Sequence, residues 1–576
     1  MTQPTNQDDF AGASGRPAPE KKPACTRGLA FQLAALGLIV VSGLAGTGLA
    51  RWLQSPQAVA PKDDNALVLS PRLFPGWNKP DLVLVVSAEQ HGYLLPCGCS
   101  HPQKGGLERR SNLIAALQAR GWPVNAVDLG NAPQIIAPAG LPNVQGLIKY
   151  RYAMKSMARM GYTAVGIGEY EASMPLTKTL DEYALNAEKP RVVCANLKEP
   201  EVKYPGETKT WQLADPIKGS DVTLGVTGLV GLSVRDRIAK KDKTVDWIDS
   251  TPALNTVLKE MDAAKVDLRV LLYMGSISQG PAGSPAEAVA CAEAFPQFPL
   301  IVALDDTDEP RSDPLYAAIP KTGAKTMLVS LGHKGKYVGV VGVFRTGKAA
   351  RPFELKYQLI EMGEEFMTPK GKEADQPILK LMEEYTAELK RENYLGQYPQ
   401  ISHPNQATAK GKIPKYVGTG RCTDCHIAAG KVWEKTPHSH AYKTLADAKQ
   451  PSNREYDPEC IVCHTVGFGY ESGFTTAAKM PDLKNVGCES CHGPGSLHSN
   501  NSTNVALQLA MNPWKAPVGE TEVLKARRIR RIDDYCQKCH DPENDVNWTD
   551  GGFERNWPKV AHPTPPEEKQ DAAAGK

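Results

Sequence analysis

The chain has 576 residues, which is long for one domain and favours two or three. A hydrophobic content of 41% with 23% charged residues is typical of globular domains, and a formal net charge of +3 gives no indication of a nucleic-acid partner. Of the 13 cysteines, eight lie between Cys422 and Cys539, so cysteine is concentrated in one C-terminal region.

An uncharged apolar run near the N-terminus is the candidate membrane anchor. Residues 29–50 contain 22 residues without a charge, close to the ~20 that a membrane-spanning helix needs. Lys21, Lys22 and Arg27 precede the run, and positive flanks tend to remain in the cytoplasm. We therefore expect residues 1–28 to form a disordered cytoplasmic tail, 29–50 a single-pass helix in the inner membrane, and the bulk of the chain to lie in the periplasm.

A cleaved signal peptide is the alternative interpretation of the same run. Residues 57–60, QAVA, resemble a small-residue cleavage site, yet the run is longer than the roughly 7–15 apolar residues of a signal peptide. The anchor is therefore the favoured interpretation. After it, residues 51–79 are rich in proline and predict a linker that leads away from the membrane.

Residues 80–365 alternate strand-like and helix-like patterns. Most of the strand-like runs are apolar without alternation, and helical stretches such as 107–121 and 255–265 separate several of them. This order is typical of sheets covered on both faces, so it predicts an α/β sandwich domain. The predicted strands are 81–88, 124–130, 164–168, 191–197, 222–230, 268–274, 299–304 and 336–344.

The character of the chain changes after the α/β domain. Residues 366–412 predict a helical linker, in which a helix at 376–397 places its apolar residues on one face. Residues 413–565 have short segments, many Gly, Pro and Asn residues and few long apolar runs, which predicts a mostly α-helical and irregular domain with too little apolar material for a conventional core. Residues 566–576 are expected to be a disordered tail. The apolar face of the linker helix consists of Ile378, Leu381, Met382, Tyr385 and Leu389.

A haem-attachment motif explains how this second domain is filled. The pattern C-x-x-C-H occurs four times. Its two thiols form thioethers with the haem vinyl groups, and the following histidine is the proximal iron ligand. Four covalent c-type haems are therefore predicted, attached at Cys422 and Cys425, Cys460 and Cys463, Cys488 and Cys491, and Cys536 and Cys539, with His426, His464, His492 and His540 as proximal ligands.

Zinc sites and disulfides are the alternatives for paired cysteines at this spacing. Neither requires a histidine directly after each second cysteine, whereas haem attachment does. Haem c is attached outside the cytoplasm, which agrees with the predicted periplasmic location.

Histidines outside the motifs are candidates for the sixth iron ligand. A second imidazole would give low-spin iron suited to electron transfer, because nothing needs to bind or leave, whereas an open position would suit ligand binding or catalysis. The candidates close to the motifs are His403, His438, His440, His498 and His562.

Four segments of this region resemble the tetrahaem cytochromes of the cytochrome c-554 family. They are WEKTPHSHAYKTL (433–445), ECIVCHTVGFGYESGF (459–474), NVGCESCHGPGSLH (485–498) and FERNWPKVAH (553–562), and the resemblance covers about 413–565. Members of that family accept electrons from hydroxylamine oxidoreductase, and their relatives are multihaem cytochromes of respiratory chains.

The family resemblance implies distal ligands at particular positions. It assigns His438 in TPHSHAY and His498 in GPGSLH as distal histidines, and His562 in WPKVAH through a shorter match. His440, two residues beyond the matching position, and His403, in a proline-containing linker, are secondary candidates. Family members often leave one iron five-coordinate, which agrees with three principal candidates for four haems.

The α/β region resembles the calcineurin-like metallophosphoesterases, in the branch that includes periplasmic 5′-nucleotidases. The segment HGYLLPCGCSHPQKGGLERRSNLI (91–114) carries the best match. A working enzyme of this class holds two metals with His and Asp side chains and one bridging carboxylate. Here Asn131 stands at the position of the bridging carboxylate and Tyr170 at that of the catalytic histidine. The matching positions are Glu89-Gln90-His91, Gly130-Asn131, Gly168-Glu169-Tyr170-Glu171, Met274 and Asp305-Asp306-Thr307-Asp308.

We therefore expect the α/β domain to be a degenerate scaffold without catalytic residues. Hard cations accept oxygen ligands, so a remodelled site built from Glu89, Asp306 and Asp308 is one alternative, and another binding role is a second. Cys97 and Cys99 in PCGC are interpreted either as disulfide partners or as metal contacts, and the sequence leaves that choice open.

These features favour an electron carrier over two alternatives. The favoured function is a membrane-anchored, periplasmic tetrahaem cytochrome that passes electrons between a quinol-linked donor and a soluble cytochrome or terminal reductase. The first alternative is an oxidoreductase that acts on a small nitrogen or sulfur compound at an open haem iron. The second is a phosphoesterase with an accessory haem domain, which would need the metal ligands that the motif positions lack.

Overall fold

The computed structural model has two six-stranded sheets, and unbroken apolar runs form central strands such as β1 and β8. The first sheet has the order β12-β11-β1-β2-β3-β4 and the second the order β5-β6-β7-β8-β10-β9. The strands are β1 Leu82–Ser87, β2 Val124–Asp128, β3 Tyr162–Val165, β4 Arg191–Val192, β5 Trp211–Leu213, β6 Leu224–Val230, β7 Leu268–Ser276, β8 Leu300–Leu304, β9 Leu315–Ala318, β10 Lys325–Val329, β11 Tyr337–Lys348 and β12 Arg351–Glu361.

The structure describes most of the chain after the predicted linker. The predicted cytoplasmic tail, the predicted anchor at 29–50 and the predicted C-terminal tail lie outside the described residues. Within the described part of the chain, no helix is both long enough and apolar enough to span a membrane. The described residues are 67–184, 189–198, 208–278, 280, 284–305, 307–318, 325–349, 351–404 and 413–562.

Both sheets have parallel strands at their centres. In the first sheet β1, β2, β3 and β4 run parallel, and β11 and β12 are added antiparallel at one edge. In the second sheet β6, β7, β8 and β10 run parallel, and β5 and β9 are antiparallel edges. All residues of β1, β6 and β8 are buried, as expected for strands covered on both faces. The predicted α/β sandwich is therefore confirmed.

Helices cover the two sheets. The helix Pro377–Arg391 buries the five apolar residues that the sequence places on one face, and they join the main core of the α/β domain. This segment therefore packs on the domain in addition to connecting it to the C-terminal region. The helices of the α/β part are α1 Leu107–Ala119, α2 Gly146–Arg159, α3 Leu176–Ala184, α4 Leu232–Lys241, α5 Ser250–Ala263, α6 Glu287–Ala294, α7 Pro377–Arg391 and α8 Tyr394–Gln397.

Short helices make up the C-terminal domain, and their apolar core is small. Among the described residues the domain contributes to two clusters of buried apolar side chains, one of eight residues that includes Leu395 and Tyr398 of the linker and one of three, against a much larger main cluster in the α/β domain. This agrees with the expectation that the domain is filled by a cofactor. The helices are α9 Thr419–Thr423, α10 Ile427–Trp433, α11 Ala441–Ala446, α12 Pro458–His464, α13 Cys488–His492, α14 Ser496–Asn500, α15 Val505–Met511, α16 Glu522–Cys536 and α17 Gly552–Val560.

A buried glutamine joins the two domains. Gln145, at the start of α2, is fully buried. Its Nε2 donates to Tyr385 Oη at 2.7 Å and to Asp457 Oδ1 at 3.0 Å, and its Oε1 accepts from Tyr398 Oη at 2.8 Å. Because Asp457 directly precedes the second haem motif, this network fixes that motif against the α/β domain.

Candidate haem-binding site

Each C-x-x-C-H motif forms a helical turn. The second and third motifs lie within α12 and α13. In the first motif, the amide of His426 donates to the carbonyl of Cys422 at 2.9 Å, and in the fourth the amide of His540 donates to the carbonyl of Cys536 at 3.0 Å. Residues three apart on a helical turn lie on the same face, so each turn presents both thiols to one side. None of the eight motif cysteines is in a disulfide among the described residues, so all eight are available to form thioethers.

Three of the four proximal histidines face a second histidine ring. Two imidazoles on opposite sides of one metal, each with a metal–nitrogen distance of about 2 Å, have ring centroids about 6 Å apart. The observed separations fit that spacing, so the residues present fit a haem iron held between them. The pairs are His426 with His498 at 6.1 Å, His540 with His438 at 6.2 Å, and His492 with His562 at 5.9 Å.

His464, the proximal histidine of the second motif, is not part of these three pairs. Its Nδ1 donates to the carbonyl of Ala441 at 2.6 Å, which leaves Nε2 for iron. The three principal distal candidates face the proximal histidines of the other three motifs.

Hydrogen bonds set the tautomer of two further proximal histidines. His492 Nδ1 donates to the carbonyl of Met511 at 2.6 Å, and His540 Nδ1 donates to Asp545 Oδ2 at 2.8 Å. An N–H held at Nδ1 directs the lone pair of Nε2 towards a metal, and a carboxylate partner makes the imidazole a stronger donor to it. The fourth motif therefore has the most electron-donating proximal histidine of these three.

Burial keeps several of these imidazoles neutral, which is the form that binds iron. Burial, together with the charges of nearby His540 and His464, lowers the pKa of His438 to about 4. Burial also lowers the pKa of His492 and of His498. The Nδ1 atom of His498 is buried without a hydrogen-bond partner in the structure, and buried polar atoms of this kind are normally satisfied by a ligand, an ion or a water molecule.

The two secondary candidates for distal ligands, His440 and His403, have different surroundings from the three principal ones. His440 is exposed, and its Nδ1 lies 3.3 Å from the hydroxyl of its neighbour Ser439. The ring of His403 packs edge-on against Tyr470 and Tyr416, with centroids 4.8 and 6.2 Å apart. The rings of the three principal candidates face proximal histidines, whereas the ring of His403 packs on tyrosines.

The attachment cysteines of different motifs lie next to each other. The sulfur of Cys422 lies beside that of Cys488, and the sulfur of Cys463 lies beside that of Cys539. Cys491 lies close enough to Cys536 and Cys539 for their charges to raise its pKa, after the larger effect of burial. The first motif therefore adjoins the third, the third adjoins the fourth, and the fourth adjoins the second.

The former metal-site region of the α/β domain holds a cluster of ion pairs. His333 Nε2 lies 3.0 Å from Glu89 Oε2, and His333 Nδ1 lies 3.3 Å from Asp308 Oδ1. The hydrogen bond to Glu89 is the largest effect that raises the pKa of His333. His91 stacks on Tyr170 with ring centroids 4.2 Å apart, and burial lowers the pKa of His91 to about 3. The His333 ring thus lies between two carboxylates, which favour its protonated form.

His333 is the member of this cluster that the sequence does not identify, because it follows none of the phosphoesterase motifs. Its position depends on the loop between β10 and β11 folding back over Glu89, whose carbonyl accepts from the amide of Lys334 at 2.7 Å. Among the described residues, no group of three or more His, Cys, Asp and Glu side chains is arranged to hold a metal ion. Asp306, part of the alternative all-oxygen site, lies outside the described residues.

The comparisons with known proteins agree with the geometry of the C-terminal domain. Residues 421–493 match the family model described as cytochrome c554 and c-prime. Cytochrome c-554 of Nitrosomonas europaea is 30% identical over 136 residues, which are 22% of this chain and 57% of that protein. The chain thus spans little more than half the length of cytochrome c-554. The resemblance of this region to the cytochrome c-554 family is confirmed, and with it covalent binding of haem c.

Solved structures similar to the chain include calcineurin-like proteins. The 5′-nucleotidase precursor from Thermus thermophilus has 18% identity and a TM-score of 0.42, over 65% of this chain and 80% of that one. The calcineurin-like phosphoesterase YfkN from Bacillus subtilis has 16% identity and a TM-score of 0.41, over 53% and 97%. A third structure, of a protein from Staphylococcus aureus, has 19% identity and a TM-score of 0.37, over 49% of this chain and 54% of that one.

Proposed function

We propose that this protein, whose C-terminal region is a cytochrome c554-type domain, is a tetrahaem cytochrome that carries electrons between respiratory-chain partners in the periplasm. The observation that carries the proposal is the set of three histidine pairs with ring centroids 5.9 to 6.2 Å apart. Four C-x-x-C-H turns, each with both thiols on one side, support the number of four haems.

The histidines of the site would serve electron transfer by holding the haem irons. When bound, haem c supplies an iron that accepts and releases one electron. His438, His498 and His562 would each hold one haem iron together with the proximal histidine that their ring faces, and would thereby exclude other ligands.

The adjacency of the motifs supports a continuous route for electrons. The contact between Cys422 and Cys488 joins the first haem to the third, and the contact between Cys463 and Cys539 joins the second to the fourth. Cys491 connects these two pairs through its proximity to Cys536 and Cys539. The proposed route therefore runs through the first, third, fourth and second haems.

A second candidate function has one observation in its favour. Because the three principal distal histidines are paired with the proximal histidines of the other three motifs, the second haem is the one at which a small nitrogen or sulfur compound could bind iron. Under this alternative, the protein is an oxidoreductase with one catalytic and three electron-transfer haems.

The cellular setting of the proposal comes from the sequence. The uncharged run at 29–50 and the basic residues before it support a single inner-membrane anchor with the haem domain in the periplasm. A quinol-linked donor and a soluble cytochrome or terminal reductase are the proposed partners.

Haem counting and substrate tests distinguish the two candidate functions, the electron carrier and the oxidoreductase. The pyridine haemochrome assay on the matured protein should give four haems per chain, and a count of two or fewer would contradict the proposal. A reduced carrier should be reoxidised rapidly by a soluble c-type cytochrome but not by hydroxylamine, nitrite or sulfite. Sustained turnover of any of these compounds would instead favour the oxidoreductase.

A further inference from the structure

Two cysteines of the α/β domain lie against the haem motifs. The thiol of Cys97 donates to the carbonyl of Asn544, just after the fourth motif, at 3.7 Å. The guanidinium of Arg454 donates through Nη1 to the carbonyl of Cys97 at 2.8 Å and through Nη2 to Cys460 Sγ, of the second motif, at 3.7 Å. Cys99 is close enough to Cys460 for the two groups to affect each other electrostatically. The pair therefore lies beside the attachment points of two haems.

Further hydrogen bonds build the cysteine loop onto the fourth motif. Ser100 Oγ donates to the carbonyl of Asn544 at 3.0 Å and accepts from the amide of Val546 at 3.0 Å. Gln103 Nε2 donates to the carbonyl of Glu543 at 3.0 Å. These bonds between segments more than 400 residues apart fix the position of the loop relative to the haem domain.

The local geometry brings the two thiols together. Gly98 between them has φ 74°, a left-handed conformation that favours glycine, and the resulting bend lets the amide of Cys99 donate to Cys97 Sγ at 3.1 Å. Gln103 Nε2 also donates to this sulfur at 3.1 Å. The hydrogen bond from the Cys99 thiol is the largest effect that lowers the pKa of Cys97, to about 7. Donors from Cys99 and Gln103 therefore converge on the Cys97 sulfur, and the two cysteine side chains lie next to each other, as in reactive dithiols.

The two interpretations left open by the sequence fit this arrangement less well. A structural disulfide stabilises mainly by closing a long loop, whereas a bond between Cys97 and Cys99 would close only three residues. A metal contact would need further ligands, and in the described part of the chain no group of three or more His, Cys, Asp and Glu side chains is placed to hold a metal ion.

We propose that Cys97 and Cys99 form a redox-active dithiol–disulfide pair that exchanges electrons with the haems of the second and fourth motifs. The proposal rests on the proposed tetrahaem function. On oxidation, the two S–H bonds break and one S–S bond forms. Two protons pass to solvent, and each of two ferric irons takes one electron and becomes ferrous. Reduction reverses each change.

The exposure of Cys99 favours an external thiol as the reductant of the disulfide. Its side chain is open to solvent while Cys97 is partly covered, so a thiol from solution can reach the Cys99 sulfur of the disulfide. Two external thiols would then become one disulfide, and the pair would return to the dithiol. A small thiol or a dithiol protein is therefore the proposed electron source for this site.

Coulometry of the full-length haem-loaded protein tests the pair. The wild type should accept about six electrons per chain, one for each of the four haems and two for the disulfide. The double variant Cys97→Ser/Cys99→Ser should accept about four. The variant Cys291→Ser, which changes a cysteine on α6 in the second core cluster of the α/β domain, is the matched control and should still accept about six.

Alkylation of the wild type at poised potentials gives a measurement that needs no variant. Mass spectrometry should find Cys97 and Cys99 joined by a disulfide at high potential and both alkylated at low potential. Capacity for only four electrons, with both cysteines alkylated at every potential, would overturn the pair while leaving the tetrahaem function intact. Fewer than four haems would contradict the tetrahaem function instead, and the alkylation pattern would still decide whether the pair is redox-active.

Discussion

Removal of one distal histidine should convert one iron, and only one, from low-spin to high-spin. His498 faces His426 with ring centroids 6.1 Å apart, and His438 faces His540 at 6.2 Å. In His498→Ala the imidazole is lost and alanine offers no ligand. The other two histidine pairs keep their own contacts and should keep their spectra.

The number of histidine pairs determines how many irons should be low-spin and how many high-spin. Three pairs for four motifs predict three low-spin irons and one high-spin iron in the oxidised wild type. Either His498→Ala or His438→Ala should leave two low-spin and two high-spin irons, so the high-spin share doubles from a quarter to a half. With methionine in place of either histidine, a Met-ligated iron should have a higher potential than the bis-His iron.

Low-temperature EPR of the oxidised protein measures these shares directly, with total haem checked by the pyridine haemochrome assay. Added imidazole should return the extra high-spin iron of His498→Ala to low spin, which a purely structural role of His498 does not predict. His440→Ala is the matched control, because His440 is exposed and contacts only Ser439 among the described hydrogen bonds. It should keep the wild-type ratio.

Two results would refute this reasoning. If His440→Ala produced the additional high-spin iron and His438→Ala did not, the ligand would be two residues away from its assigned position. If neither His438→Ala nor His498→Ala altered any haem, the histidine pairs would not be ligand pairs.

Three further predictions concern other parts of the molecule. In Asp545→Asn the proximal His540 loses its carboxylate partner. A loss of about 1 kcal/mol in hydrogen-bond strength should raise the potential of one haem by roughly 40 mV in a redox titration. An unchanged potential would show that Asp545 does not tune this haem. Nucleotide hydrolysis with added manganese or zinc should stay at background, because Asn131 and Tyr170 replace metal-site residues; turnover abolished by His91→Ala would contradict this. After a high-salt wash the protein should remain with membranes, whereas a mature N-terminus near Pro61 would indicate a cleaved signal peptide.

The haem-attachment chemistry could be predicted from the sequence because it is local. Two thiols and a histidine within five residues need only one helical turn to face a haem, and the second and third motifs form that turn by themselves as α12 and α13. The apolar runs of β1 and β8 predict buried strands for the same reason. The edge strand β12 does not stand out, because its residues are half exposed and it is held mainly by pairing with β11.

The pairing of distant residues was decided only by the tertiary structure. His562 meets His492 across 70 residues of chain, and no spacing rule selects that partner. His333 reaches Glu89 through the loop between β10 and β11, and Cys97 meets Asn544 only because the two domains pack together. A motif records which atoms a short segment can offer. Which distant atoms they meet depends on the packing of the whole chain, because burial of apolar surface and satisfaction of buried polar groups are properties of the complete fold.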